Sequence, residues 1–438
     1  MSNNKKLKEK FEQTELYQNS TDCQKKFYEA YFGDRNICLT GAAGTGKSYA
    51  LKGLCDFLSN NGVNVAITAT TGVAAYNVGG QTIHSWAGIG LGDLDVIDLV
   101  EKVSRNKIAN NRIVETDLLV IDEVSMLKSD LLDKLDQIFK TIRFDRSNPF
   151  GGMQIIFCGD FMQLTPVWKN GEDEMFAFES DSWIEATPQV VLLTEIVRQI
   201  NDKSFANMLN EVRVGDFSSL QLLESRIDAN FDDDGIDPVF LYCKNSDVDI
   251  LNKEMLNEIP GTIKKFYAKD TGSPFHVDFF NKHTPIPEVL ELKIDAQVML
   301  LKNIDVTKGL VNGSMGKVKG YTPDGVIVHF RTGDHIITNQ VTEIREQRPS
   351  KGKMQMAVAA SRTQIPLRVA FACTVHKIQG STLDRAVIDV SSAFAEGMVY
   401  VALSRVRNLE ALSLTEFRAS KIRANKKCLD FYSENSSK

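Results

Sequence analysis

The run GAAGTGKS at residues 41–48 constrains the fold of this chain more than any other feature of the sequence. A short apolar run, NICLT, precedes it, and residues 49–58 carry apolar side chains at helical spacing. A glycine loop between a strand and a helix turns backbone N–H groups and the helix N-terminus towards one point, where phosphate groups bind. The sequence therefore predicts a strand–loop–helix unit that binds a nucleoside triphosphate. The alternative is a glycine turn that only begins a helix.

The residues of this loop have separate predicted roles. Lys47 is predicted to reach the β and γ phosphates of ATP, and the Ser48 hydroxyl is predicted to ligate Mg²⁺. The expected nucleotide-binding set of the loop is Gly41, Ala42, Ala43, Gly44, Thr45, Gly46, Lys47, Ser48 and Tyr49.

Length, composition and charge limit the classes of protein that remain. A chain of 438 residues suits two or three domains, and no apolar stretch approaches the roughly twenty residues of a membrane span. The net charge of −6 neither indicates nor excludes a nucleic-acid partner, because a strand-tracking protein needs only a local basic groove. The seven cysteines include no CxxC pair and are typical of reduced core residues. We expect a cytoplasmic protein without a membrane partner, or a nuclear one in a eukaryote.

Short β-rich runs alternate with helical patterns from about residue 35 to 200, which predicts a parallel sheet with helices on both faces. Residues 82–115 interrupt the alternation and are predicted to be an insertion. A second α/β pattern follows, and residues 296–365 carry short alternating runs with turn glycines, which predict a small antiparallel barrel.

Polar residues follow two strands of the first predicted sheet. Asp122 and Glu123 end the run LLVIDE, where Asp122 is predicted to hold Mg²⁺ through water and Glu123 to polarise the attacking water. An acidic cap at a helix N-terminus is the alternative. Gln163 follows the run QIIFCGD and is a candidate γ-phosphate sensor. Taken singly, such a glutamine is more often part of a surface turn, but its position at a strand end of the same sheet favours the sensor.

Seven motifs occur in an order that resembles one known family. They are GAAGTGKS, TATTGVAA, TIHSWAGIG, VIDEVSML, PFGGMQIIFCGDFMQLTPV, VHKIQGSTLD and YVALSRV. Together they resemble the PIF-type DNA helicases of superfamily one, branch B, over about residues 20–415. The stretch 133–160 resembles the signature that separates PIF-type enzymes from other helicases.

The resemblance implies two tandem RecA-like P-loop domains of α/β class that hydrolyse ATP between them. Residues 1–198 are expected to form the first domain, with a wedge-bearing insertion at about 82–115. Residues 199–295 and 366–438 are expected to form the second, with the β-barrel insertion at 296–365.

The same resemblance assigns further nucleotide-site residues. Gln24 resembles the adenine-reading glutamine, and Gly380 resembles a second γ-phosphate sensor beside Gln163. Arg198 and Arg405 resemble the arginine fingers that stabilise negative charge during phosphoryl transfer. From the residues alone, an arginine at a helix end is a capping or solvent-facing side chain.

The resemblance also implies a set of DNA contacts. Threonine hydroxyls and backbone N–H groups bind phosphate without reading sequence, and a tryptophan offers a stacking face to a base. The tryptophan of this set has the alternative of a core position, and its two histidines have the alternative of buried, hydrogen-bonded positions. The set is Thr71, Gly72, Thr82, His84, Trp86, Thr374, His376 and Lys377.

The function implied by the resemblance is an ATP-dependent 5′→3′ DNA helicase that walks on single-stranded DNA and opens forked or structured DNA. A monomer is expected, and the chain length favours a compact bacterial or viral enzyme. The nearest alternative is an ATPase that translocates or remodels without separating strands, or that prefers RNA. A nucleic-acid-binding scaffold that holds ATP as a switch is a further alternative, against which Glu123, Arg198 and Arg405 argue, since a switch needs no base and no fingers.

Overall fold

The structure is a computed structural model that describes residues 2–168, 171–216, 218–243, 248–305, 307–350 and 353–435. The described residues form two units. The first takes in those within 1–197, 346–357 and 426–438, and the second those within 198–345 and 358–425. The described part of the chain contains no helix long and apolar enough to cross a membrane.

A six-stranded parallel sheet forms the centre of the first unit and confirms the predicted sheet type. Its order is β3-β2-β4-β5-β1-β6. Two of the predicted apolar runs form β1 and β4, and every residue of these strands is buried, as in sheets covered on both faces. The strands are β1 (Ile37–Gly41), β2 (Val65–Ala69), β3 (Gln81–Thr82), β4 (Leu118–Asp122), β5 (Gln154–Gly159) and β6 (Gln189–Leu193).

Among the described residues, ten α-helices precede or connect these strands, and α3 and α4 pack on β1 in the core. The predicted insertion at 82–115 is helical and consists of α6, α7 and α8. The helices are α1 (Ser2–Glu12), α2 (Glu15–Gln18), α3 (Asp22–Phe32), α4 (Lys47–Asn60), α5 (Gly72–Asn77), α6 (Ile83–Ala87), α7 (Val96–Arg105), α8 (Lys107–Glu115), α9 (Ser129–Ile142) and α10 (Asp181–Ala186).

The second unit contains a parallel sheet and an antiparallel one. Its helices are α11 (Lys203–Val214), α12 (Leu220–Glu224), α13 (Val248–Glu258), α14 (Pro274–His283) and α15 (Met398–Leu403). Its strands are β7 (Val239–Tyr242), β8 (Lys264–Tyr267), β9 (Lys269–Thr271), β10 (Val289–Leu292), β11 (Gln297–Leu300), β12 (Met315–Tyr321), β13 (Gly325–Phe330), β14 (Gly333–Thr338), β15 (Gln340–Ser350), β16 (Lys353–Gln364), β17 (Leu367–Val369), β18 (Ala372–Thr374), β19 (Ala386–Asp389) and β20 (Leu412–Glu416), where β15 and β16 extend into residues grouped with the first unit.

The parallel sheet has the order β18-β7-β19-β20 and confirms the second α/β pattern. The antiparallel insertion is a five-stranded sheet of order β14-β13-β12-β11-β17, so its last strand lies just beyond the predicted boundary at residue 365. Its apolar face forms a separate core around Val298, Val318 and Val328. Two smaller sheets, β10-β8 and β15-β16-β9, complete the unit.

The last helix, α16 (Lys426–Asn435), belongs to the first unit, whereas the sequence had assigned residues 366–438 to the second domain. The ring of Phe431 stacks on Phe178 with centroids 4.6 Å apart and meets Phe161 edge-on at 5.1 Å. No local pattern in this segment indicates which sheet it covers.

Candidate functional site

The glycine loop lies between β1 and α4, as predicted. A Cβ added to Gly41 would stand 2.4 Å from the carbonyl oxygen of Leu193 on β6, so only glycine fits there. Gly46 has φ +83° and caps α4 in the left-handed region, which glycine adopts without strain. The Val197 N–H donates to the Gly44 carbonyl at 2.8 Å and holds the loop from outside. The loop is therefore built for close backbone approach to phosphate.

The side chains of the loop separate into a buried and an exposed group. The Lys47 ammonium folds over the loop and donates to the carbonyls of Gly41 at 2.8 Å and Ala42 at 3.0 Å. Thr45 is buried and donates to the Ala42 carbonyl at 2.9 Å. Ser48 and Tyr49 are exposed at the first turn of α4. The Lys47 charge thus lies over the glycine loop, where anions are favoured beside a helix N-terminus.

The acidic pair lies at the end of β4. The Asp122 carboxylate is buried and accepts a hydrogen bond from the Glu123 N–H at 2.9 Å. Burial raises the pKa of Asp122, and the Glu123 N–H, Cys158 and the charge of Lys47 oppose that rise. Glu123 has φ +52°, a conformation that costs free energy outside glycine and persists mainly at functional sites. The Asp122 carboxylate and the Ser48 hydroxyl are hard oxygen donors of the kind that suits Mg²⁺.

Gln163 follows the neighbouring strand, β5, which pairs with β1 through Thr40 and Gly159. A Cβ on Gly159 would stand 2.9 Å from the Val124 nitrogen, so the chain segments after β4 and β5 run in close contact. Gln163 is buried and its N–H donates to the Asp160 carbonyl at 2.9 Å. The structure therefore gathers the loop, the acidic pair and Gln163 at the carboxyl ends of three neighbouring strands.

Gln24 approaches the same loop from α3. Its backbone and side chain form a capping box with Thr21. The side-chain nitrogen Nε2 lies 3.2 Å from the position that a Cβ on Gly46 would take. This proximity agrees with the predicted role of Gln24 beside the nucleotide.

Arg198 and Arg405 lie together within the second unit. Arg405 is 2% exposed and donates to the Val401 carbonyl and the Ser404 hydroxyl, and Arg198 donates to the Ser404 carbonyl at 3.0 Å. Burial, together with the charges of Arg405 and Arg407, lowers the pKa of Arg198 to about 9. Two neighbouring guanidinium groups make this a place where an anion is favoured. Gly380 follows a short helical turn of the same unit with φ +82°.

The predicted DNA contacts of the first unit differ in their burial and hydrogen bonding. Thr71 and Gly72 begin α5, where the Thr71 hydroxyl accepts from the Ala74 N–H at 3.2 Å. Thr82 is buried and its hydroxyl caps α6 by accepting from the Ser85 N–H. His84 is half-buried, and burial lowers its pKa.

Trp86 occupies the core position that was its alternative. It is 3% exposed and meets the Phe139 ring edge-on, with centroids 5.7 Å apart. The ring therefore has no free face for a base, which corrects the predicted stacking contact. Helical spacing places Trp86 and Ile83 on one side of α6, but only tertiary packing buries them, and for Trp86 that packing includes Phe139 of α9.

The second-unit contacts lie around the end of β18. Thr374 is buried and accepts from the Lys377 N–H at 3.4 Å, and the Lys377 ammonium pairs with Asp249 at 2.9 Å. Within the described residues, Nδ1 of His376 is buried and has no hydrogen-bond partner, and burial lowers the pKa of this histidine.

Sequence reasoning did not select Tyr432, which reaches the strand ends of the nucleotide site from α16. No local signal marks this residue, since it lies in a short polar helix about 270 residues beyond Asp160.

The comparisons with known proteins agree with this geometry. A family profile described as PIF1-like helicase matches residues 13–222, and one described as the 2B domain of DNA helicase Pif1 matches residues 280–321. The Pif1 helicase structure from Candida albicans is 34% identical, with 95% of this chain and 99% of that chain covered and a TM-score of 0.74. This chain belongs to the Pif1-like helicase family.

Other members of the family extend the comparison. Bacteroides sp. Pif1 in complex with ADP-AlF4 is 30% identical, with 95% and 97% of the two chains covered and a TM-score of 0.82. The human protein named ATP-dependent DNA helicase PIF1 is 38% identical over 91% of this chain and 61% of its own length, so the chain spans about three fifths of that relative. Because the family members found are both eukaryotic and bacterial, they do not support the expected bacterial or viral source.

Proposed function

We propose that this chain is an ATP-dependent DNA helicase that moves 5′→3′ on single-stranded DNA and opens duplex or structured DNA. The observation that carries the proposal is the gathering of Lys47, the acidic pair and Gln163 at the ends of three neighbouring strands. A phosphate cradle, a metal anchor and a base are the parts that hydrolysis of a nucleoside triphosphate requires. The name of the human relative, ATP-dependent DNA helicase PIF1, supports DNA as the substrate and ATP as the nucleotide that is hydrolysed.

In this proposal, each residue has one task during ATP hydrolysis. Lys47 and the loop N–H groups bind the phosphates, and Gln24 orients the adenine. Ser48 and Asp122 hold Mg²⁺, which neutralises phosphate charge when it is bound. Glu123 orients the attacking water and takes up its proton, while Gln163 and Gly380 contact the γ phosphate. Arg198 and Arg405 stabilise the developing negative charge, a role that rests on the resemblance of the motifs that carry them.

Strand binding is assigned to the remaining residues of the predicted set. Thr71 and Gly72 offer a hydroxyl and backbone groups to phosphates. The buried Thr82 and Thr374 act indirectly, since their hydroxyls accept from the Ser85 and Lys377 N–H groups, and His84, His376 and Lys377 lie beside them in the sequence motifs. To contact a phosphate, Lys377 has to give up its ion pair with Asp249. Opening one base pair costs about 1.4 kcal/mol of stacking free energy on average. The direction of travel rests on family resemblance, and a monomer is the proposed active form.

The test uses two duplexes that differ only in whether the single-stranded tail is 5′ or 3′. We expect unwinding of the 5′-tailed duplex and not of the 3′-tailed one, in the presence of ATP. Lys47→Ala should abolish ATP hydrolysis and unwinding, because the phosphates lose their charged partner. The exposed Lys52 lies on the same helix, so Lys52→Ala is the matched control and should keep both activities.

Three results would contradict parts of the proposal. Strand-stimulated hydrolysis without opening of either duplex would favour the alternative of a translocating ATPase. A preference for the RNA counterparts of the two substrates would overturn the assignment of DNA. Normal hydrolysis by Lys47→Ala would remove the nucleotide site itself.

A further inference from the structure

The C-terminal helix α16 docks against the nucleotide-binding sheet of the first unit. Phe431 packs among Phe161, Phe178 and Trp183, with centroid distances of 4.6 to 6.2 Å. At the start of the helix, the Lys427 ammonium donates to the Glu174 carbonyl at 2.5 Å and pairs with Glu179 at 2.9 Å. Apolar packing and an ion pair thus fix the position of Tyr432, the residue that follows Phe431.

The hydroxyl of Tyr432 makes three hydrogen bonds to the ends of β1 and β5. Its oxygen lies 2.6 Å from the Thr40 hydroxyl and 3.0 Å from Oδ1 of Asp160, and the Phe161 N–H donates to it at 3.2 Å. A phenol has one proton to donate and accepts through its oxygen lone pairs. Because a carboxylate only accepts, the Tyr432 proton goes to Asp160, and the hydroxyl proton of Thr40 goes to Tyr432. The bonding capacity of the phenol is therefore filled.

The three partners of this hydroxyl lie directly behind the nucleotide site. Thr40 is the residue before Gly41, at the point where β1 enters the phosphate loop. Asp160 shapes the turn that carries Gln163, because its carboxylate accepts from the Met162 N–H at 3.2 Å and its carbonyl accepts from the Gln163 N–H at 2.9 Å. Thr40 and Asp160 are both fully buried, so water offers no substitute for the bond that joins them through Tyr432.

We infer that Tyr432 is a positioning residue that holds the phosphate loop and the Gln163 turn in register for hydrolysis of the γ phosphate. The inference rests on the proposed function, because it gives Tyr432 a task only where ATP is hydrolysed. A misplacement of about 1 Å between reacting groups can reduce a rate 100-fold, so a hydroxyl that fixes two loops acts on turnover more than on binding.

The experiment compares Tyr432→Phe with the wild-type chain in steady-state ATP hydrolysis stimulated by single-stranded DNA. We expect kcat to fall about tenfold, the loss that about 1.4 kcal/mol of barrier corresponds to, while the KM for ATP stays within about twofold. Binding of a fluorescent ATP analogue should be unchanged. Ser433→Ala is the matched control, because it removes an exposed hydroxyl of the same helix that bonds only within the helix, and it should behave as wild type.

Thr40→Val tests the same contact from the other side and serves if Tyr432→Phe does not fold. It should lower kcat by a similar factor, and the double variant should lose little more than either single one, because both changes break one linked contact. A wild-type kcat in Tyr432→Phe, with hydrolysis by the wild type established, overturns the inference and leaves the proposed function standing. The inference is also overturned if a smaller folded fraction, measured by thermal unfolding, explains the entire loss of rate. Absence of hydrolysis in the wild type overturns the proposed function, and the inference falls with it.

Discussion

At the scale of single residues, Glu123 combines a chemical role with an unusual backbone. Its φ of +52° turns the chain sharply after β4. Hydrogen bonds hold that turn: the Glu123 N–H donates to Asp122, and the Glu123 carbonyl accepts from the Thr70 hydroxyl at 2.9 Å and from the Met126 N–H at 3.1 Å. A non-glycine residue in this region costs of order 1–3 kcal/mol, which the surrounding bonds must offset. The turn therefore places a carboxylate side chain where a regular strand would not.

Replacement of Glu123 by glutamine keeps the shape of the side chain and removes the proposed base. We expect Glu123→Gln to lower ATP turnover about 100-fold or more, since a positioned general base typically contributes that much, while ATP binding is retained. Turnover and binding of a fluorescent ATP analogue are measured side by side. Glu115→Gln, at the exposed end of α8, is the control. Turnover near the wild-type rate would remove Glu123 from the mechanism.

The buried position of Trp86 leads to a prediction about stability rather than DNA binding. Trp86→Ala should lower the free energy of unfolding by about 3–5 kcal/mol through loss of core packing. Trp86→Leu, which removes the aromatic face and keeps an apolar side chain in the core, should leave the affinity for single-stranded DNA unchanged within error. A stacking residue would instead lose about 1–3 kcal/mol of DNA binding per base. Denaturant titration and DNA-binding isotherms separate the two roles.

At the scale of elements, Arg143 joins the end of the helical insertion to the turn around Gly151. It follows α9, and its Nη1 donates to the carbonyls of Ile113, Val114 and Thr116 at 2.7 to 3.0 Å. These carbonyls lie at the C-terminal end of α8, where a helix leaves acceptors unsatisfied and favours a positive charge. Its Nε also donates to the Gly151 carbonyl at 2.8 Å. Burial lowers the pKa of Arg143, and the charges of Asp117 and Asp145 oppose that change.

Lysine cannot reproduce this fork of donors. We expect Arg143→Lys to destabilise the first unit by about 1.5–3 kcal/mol, the range for hydrogen bonds to a charged group, and to speed amide hydrogen exchange in α8. The exposed Arg146 nearby provides the control variant, Arg146→Lys. If exchange in α8 were equal in both variants, Arg143 would not anchor the insertion.

At the scale of the whole molecule, the chain leaves the first unit near residue 197, returns to it within residues 346–357 and returns again with α16. Each unit has a core of its own, one around β1 and α4 and the other around the antiparallel sheet. A change in either core should therefore be felt mainly within its own unit.

Phe431→Ala tests this organisation. We expect a loss of about 3–5 kcal/mol in the stability of the first unit, from the cavity that the ring leaves. Hydrogen exchange should become faster in β1 and β5 and stay unchanged in β19 and β20. The exposed Phe394 of the second unit gives the control, Phe394→Ala. Equal acceleration in all four strands would show that the two cores unfold as one.

Much of the fold and part of the site could be predicted because the signals are local. The loop from Gly41 to Ser48, the strand that ends at Asp122 and the alternation of strands and helices depend on neighbours within a few residues, and the structure confirms them. The order of the strands then brings Gln163 beside the phosphate loop, because parallel strands present their carboxyl ends at one edge. The assigned chemical roles remain proposals.

The phosphate loop, the two parallel sheets and the antiparallel insertion follow from the amino-acid sequence, since glycine stereochemistry and apolar periodicity act along the chain. The burial of Trp86, the place of α16 in the first unit and the bonds of Tyr432 to Thr40 and Asp160 arise from contacts between distant segments. The periodicity of apolar side chains indicates that one face of an element packs against another element. Which partner it finds depends on packing between segments hundreds of residues apart, and no local pattern records that choice.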